Sequence, residues 1–133
     1  MILVIGRWGD APRSVRVTVG AFVLVLAYGT VVHLLQLVAS GFNPYPALPD
    51  WLRAYFTALT VLDPLAAVLL ARRRRSGVVL AATVLVSDAA ANGWANYALD
   101  DSVGITTGRV GHAVITVLAV ALVIALPRLS RAT

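Results

Sequence analysis

The sequence predicts an all-α integral membrane protein, a four-helix bundle running up-down-up-down with N-in/C-in orientation. Three observations lead there. Of the 133 residues, 59% are hydrophobic and only 13% charged, about half the charged share of a soluble domain. One core of this size cannot hide so much apolar surface, and a chain this hydrophobic does not stay disordered. Four apolar stretches each supply the roughly 20 residues needed to cross about 30 Å of hydrocarbon. Their apolar runs are unbroken instead of alternating, so none reads as a strand. The arginines, finally, are distributed unevenly about those stretches. Residues 1–133 read as a single membrane domain.

The first helix is expected at about 15–39. Met1 to Gly6 is too short for the apolar region of a secretory leader, and the first helix is too long and starts too late for one. Val38 to Gly41, Val-Ala-Ser-Gly, imitates a cleavage site, but a polar face on the helix argues that it is retained. The loop that follows, Gly41 to Asp50, holds Pro44, Pro46 and Pro49. These stiffen it toward extended conformations and end the helix, which suits a rigid connector. Asp50 is expected to cap the second helix.

That second helix is expected at 51–71 and contains Asp63-Pro64. Proline removes the donor to the Thr60 carbonyl, which predicts a kink and space beside Asp63. A turn carrying Arg72, Arg73, Arg74 and Arg75 leads to the third helix at 77–97. Such a turn is too short to read nucleic acid. It fits a topology anchor that attracts anionic lipid headgroups, and it makes helices two and three antiparallel neighbours. The fourth helix is expected at about 105–126. Tyr45, Trp51, Tyr55, Trp94 and Tyr97 gather near the outer boundary, where aromatic belts form.

With the N-terminus inside, the inner segments hold Arg7, Arg13, Arg16, Arg72, Arg73, Arg74, Arg75, Arg128 and Arg131, and the outer loops only Arg53 and Arg109. That is a strong positive-inside bias. All basic residues are arginine and all acidic ones aspartate. This bias matches a high-GC bacterial genome, so the expected membrane is a bacterial inner membrane, crossed several times with both termini cytoplasmic. The absence of cysteine excludes thiolate chemistry. No Walker-type lysine or Gly-x-Ser-x-Gly elbow is present, which removes an ATPase and a conventional hydrolase.

The informative residues are the ionisable ones inside the membrane. Each costs about 2.5–3.5 kcal/mol on insertion scales, so each needs a function or an internal partner. Every helix supplies one: His33, Asp63, Asp88 and His112. Gly29, His33, Gln36 and Ser40 share a face by spacing, as do Thr60 with Asp63, Asp88 with Asn92 and Asn96, and His112 with Thr116. Four inward stripes make one site. Counting from the outer ends at about 1.5 Å per residue puts His33, Asn92 and His112 roughly 8–9 Å deep, with Asp63 and Asp88 near the midplane. The expected site is therefore an outward-facing polar cavity with Asp63, Asp88, His33, Asn92, His112 and Gln36 on its walls.

Carboxylates with histidines above them suit proton transfer, general acid–base work or a cationic ligand. No cofactor is predicted. His33 and His112 with Asp63 and Asp88 offer ligands for a divalent ion such as Zn²⁺ or Fe²⁺, and His33 with His112 could be axial haem ligands, but no Glu-x-x-His pattern accompanies them. The first expectation is binding of a small lipid-soluble or cationic molecule. A proton-coupled transporter working as a homodimer is the alternative, and a membrane partner protein with a purely structural polar core is a third.

Overall fold

The structure, a computed structural model, describes residues 6–133. These form four long helices, α1 (Arg13–Ala39), α2 (Asp50–Ala71), α3 (Arg75–Tyr97) and α4 (Thr107–Ala132). There are no strands among the described residues. All four are long and apolar enough to span a membrane.

Each helix packs on the next in sequence, whereas α1 and α4 share only a thin contact. The outer pair accordingly leave most of their apolar surface uncovered: 11% of the most hydrophobic window of α1 or α4 is buried, against 39% for α2 and 33% for α3. In water that would be untenable. Against lipid tails it costs nothing, because helices in a bilayer are held by packing and hydrogen bonds and not by hiding apolar surface.

On α1 the buried residues Val15, Val19, Phe22 and Leu26 recur at helical spacing. The stripe on α2 runs Leu52, Phe56, Leu59, Asp63, Ala66 and Leu70, so the aspartate occupies a core position of its helix. The backbones of α2 and α3 approach closely near their turn, where Gly77 lies directly on the Leu69–Leu70 peptide. A Cβ at residue 77 would overlap the Leu69 carbonyl carbon and the Leu70 amide nitrogen.

Five helix boundaries differ from expectation; two of them are the starts of α1 and α3, which begin two residues early, at Arg13 and Arg75. Pro49 occupies the cap position of α2, and Asp50 is the first helical residue, its carboxylate accepting from Arg53 at 3.1 Å. It still favours the helix N-terminus electrostatically, but it caps nothing. At α4, Thr106 is the cap and accepts from the Arg109 amide at 3.2 Å. That helix continues through Pro127 to Ala132. Proline removes a single donor, so an otherwise favourable run can continue past it. Likewise α2 runs unbroken through Pro64.

The arginine turn also differs. Arg73 adopts a left-handed backbone, φ 56°, which turns its side chain back over the helix ends. Its Nε donates to the Ala132 carbonyl at 2.6 Å, and its Nη1 to the Arg7 carbonyl at 3.2 Å and to Asp10 at 2.5 Å. Its guanidinium lies 5.3 Å from the Trp8 ring centroid. Trp8 is fully buried and donates from its indole to the Leu70 carbonyl at 3.1 Å. Arg73 is thus taken up by the fold and is not free for headgroups. Helix C-terminal carbonyls lack intrahelical partners, and this side chain supplies donors to them.

The Arg73 hydrogen bond holds the Asp10 carboxyl below its ordinary 3.8. A lowered folded-state value stabilises the fold above the ordinary carboxylate range and loses that effect as pH falls through the lowered value. Thermal unfolding in detergent should therefore find Asp10→Asn less stable than the parent at neutral pH. The two should converge on acidification below about pH 4.

Candidate functional site

A cavity of about 640 Å³ lies between the four helices toward the end that holds the α1–α2 and α3–α4 loops. It continues the buried stripe of α1, where Leu26 gives way to Gly29, His33 and Gln36 at the same helical spacing. On the opposite side α3 contributes Asp88, Asn92 and Asn96, and α2 contributes Phe56 and Asp63. The remaining wall belongs to α4, from Thr107 to Leu118, and is apolar apart from Thr107.

Asp63 is the centre of this site. It is 5% exposed and is the only buried polar or charged residue among those described. His33 Nε2 lies 3.9 Å from its Oδ2, beyond hydrogen-bond distance. Space for the carboxylate exists because residue 29 is glycine: a Cβ there would overlap Asp63 Oδ2. The second carboxylate is better provided for. Asn92 Nδ2 donates to Asp88 Oδ1 at 2.8 Å and to the Asp88 carbonyl at 3.1 Å. Asn96 Nδ2 in turn donates to the Asn92 carbonyl at 2.8 Å.

The expected residues Asp63, Asp88, His33, Asn92 and Gln36 thus line one cavity. His112 does not. Its ring sits edge-on to Tyr97, with centroids 5.4 Å apart, and against Gly93, where a Cβ would lie 3.0 Å from Cε1. The spacing argument did not give its direction around the α4 axis. The small residue at 93 gives the ring its place on the α3 side. Nor does Thr116 reach the cavity, since its hydroxyl returns to the His112 carbonyl at 2.8 Å. Ser40 bonds its own helix end, to Leu37 at 3.0 Å.

His112 is therefore not among the residues that line the cavity with His33. Among the described residues no group of three His, Cys, Asp or Glu side chains could hold a metal ion.

Two lining residues were not assigned to the cavity from the sequence, which placed Tyr45 in the aromatic belt. The loop contributes Tyr45, whose hydroxyl donates to Gln36 Oε1 and whose ring packs on Phe56 at 5.2 Å. Burial, with a smaller contribution from the Asp88 charge, pushes the Tyr45 phenol up to about 12, so it remains a donor at neutral pH. Arg53 fixes the loop through Asn43 and Asp50. The connector is therefore also the roof of the cavity. Tyr28, one residue before Gly29, lines the space although it is 72% exposed.

That exposure corrects the expected direction of opening. The exposed lining residues are Tyr28 and Gln36 on α1 and Thr107, Gly108, Gly111 and Val114 on α4. They follow the seam where these helices barely touch, so the cavity opens along its flank and not only at the loop end. In charge it is acidic throughout, with two carboxylates and no arginine among the described lining residues. An apolar chamber with a buried carboxylate can bind a cation or exchange a proton.

No known protein family, curated protein or solved structure matches this chain.

Proposed function

We propose that this chain is a multi-pass protein of a bacterial inner membrane that binds a small lipid-soluble cationic molecule in its cavity, with Asp63 as counter-ion. The helices run up-down-up-down with both termini cytoplasmic, which is the orientation the arginine bias favours. Arg72, Arg74 and Arg75, all exposed, attract anionic headgroups on that side. Consistent with shared ends, Arg73 bonds Arg7, Asp10 and Ala132 together.

The observation that carries the ligand reading is the buried carboxylate of Asp63, which has no hydrogen-bond partner among the described residues and only a long contact with His33, facing a chamber of about 640 Å³. A buried charge without a partner is strongly unfavourable, and a polar core meant only as packing would pair it. Asp88 supplies a second negative group, and His33, Gln36 and Tyr45 supply polar contacts above the cation. The apolar wall of α4 suits a hydrocarbon body. Ligand sites commonly combine such walls with a few convergent polar groups.

Binding of labelled decyltrimethylammonium to the protein in lipid nanodiscs tests this. Decylammonium should compete, while decanol, with the same chain and no charge, should compete about tenfold or more less well, since a charged contact contributes roughly 1.5–3 kcal/mol. Equal competition by the alcohol would refute Asp63 as a counter-ion.

A further inference from the structure

We infer that the ligand is a membrane-dissolved amphiphile which enters sideways from the bilayer, through a slot between α1 and α4, and keeps its hydrocarbon chain in that slot when its cationic head reaches Asp63. The inference rests on the ligand reading above and adds the route and the chemical class. Four observations converge on it. The first is the thin α1–α4 contact, set against continuous packing at the other three helix pairs.

Second, the seam is bordered by residues that line the cavity and are exposed at once. Tyr28 is 72% and Val114 55% exposed. Tyr28 lies eleven residues before Ala39 on α1, about 16 Å down the helix from its end. An opening that extends so far down the helix reaches the level of the acyl chains. Third, the α4 edge of the slot has glycine at 111, where a Cβ would meet no atom within 4 Å, whereas Gly108 lies against Asn96 of α3. The gap there is empty width.

Fourth, the polar end of the chamber is partly covered. Tyr45 and Leu48 from the loop cover the outer side, and Tyr45 bonds Gln36. A water-soluble cation would have to pass this roof, whereas an amphiphile in the leaflet already has its chain level with the slot. The site is built to complete such a molecule: its side-chain burial leaves Asp63 at 7%, reachable through the chamber, and Gly29 clears the carboxylate on the slot side. A neutral lipid would leave that carboxylate unmatched, and an anionic one would be repelled by it and by Asp88.

The test uses a fluorescent alkyltrimethylammonium probe bound to the full chain in nanodiscs, made once with ordinary phosphatidylcholine and once with lipid brominated on its acyl chains. Brominated lipid should quench the bound probe, and aqueous iodide should not. Gly111→Trp, which fills the slot edge, should weaken binding about tenfold and remove the lipid quenching of what remains bound. Ala113→Trp, exposed on the same helix but away from the cavity, should change neither and controls for insertion of a bulky ring. Quenching by iodide in place of brominated lipid would overturn the slot while leaving the ligand reading intact. So would Gly111→Trp binding and quenching like the parent, or protection from both quenchers because a second copy covers the seam. No saturable binding to the parent protein would overturn the ligand reading, and the slot with it.

Discussion

Replacing Asp63 with leucine should sharply weaken binding of alkylammonium probes and at the same time make the protein harder to unfold. The two effects have one origin. Asp63 lies in the buried stripe of α2, with Leu59 on one side and Ala66 on the other along the helix, and its carboxylate has no partner closer than His33 at 3.9 Å. A charge held there without compensation destabilises the fold, and apolar replacement of buried charged groups is often neutral or stabilising by about 1–4 kcal/mol. For the ligand the carboxylate is the counter-ion, and its loss should weaken binding by roughly 10- to 150-fold, corresponding to about 1.5–3 kcal/mol. Equilibrium binding in nanodiscs and thermal unfolding in detergent measure the two quantities on one preparation. Asp63→Asn separates charge from shape, and it should weaken binding nearly as much. A variant that bound normally, or one that lost binding only because it no longer folded, would argue for a structural role.

The largest loss of stability should come from Gly77→Leu. The α2–α3 contact depends on a backbone at residue 77 lying against the Leu69–Leu70 peptide, where even a Cβ has no room. These neighbours are main-chain atoms of a helix and cannot rotate away, so the helices themselves must separate. Overpacking typically costs about 1–3 kcal/mol, occasionally more, even where side chains can yield. Here the upper end is expected. Gly77→Ala should show a smaller version of the same defect, and both should appear as a fall in melting temperature or as loss of folded material on size exclusion. Gly20→Ala is the comparison, since a Cβ at residue 20 meets nothing within 4 Å. It should be neutral or better, because alanine is the stronger helix former.

Much of this was legible in the sequence because membrane helices announce themselves through length and hydropathy alone. Periodicity then did the rest for α1. The spacing of Gly29, His33 and Gln36 put them on one face, and that face lines the cavity. Spacing gives a residue's angle relative to its own helix, however, and not the rotation of that helix against its neighbours. On helices α1 to α3 the inward stripe was marked by several polar residues. On α4 it rested on His112 and Thr116, and those turn toward α3 and their own backbone, leaving the glycines at 108 and 111 to face the cavity.

Arg73 illustrates a different limit. A run of four arginines in a turn looks uniform in composition, and only the left-handed backbone at one of them selects the side chain that turns inward. The place of Tyr45 in the cavity wall was equally hidden, since a loop side chain has no period to betray it.

The burial of Trp8 gives the molecule an optical property. Its three tryptophans occupy three distinct settings: Trp8 wholly enclosed beside a guanidinium, Trp51 60% and Trp94 55% exposed near the opposite end. Trp51→Phe together with Trp94→Phe would leave a single emitter that senses only the joint between the segment before α1 and the last turn of α2. Loosening of that joint would register as a shift in its emission while the rest of the bundle stayed spectroscopically silent, so the chain carries its own gauge of whether the two ends of the helices come apart together or one before the other.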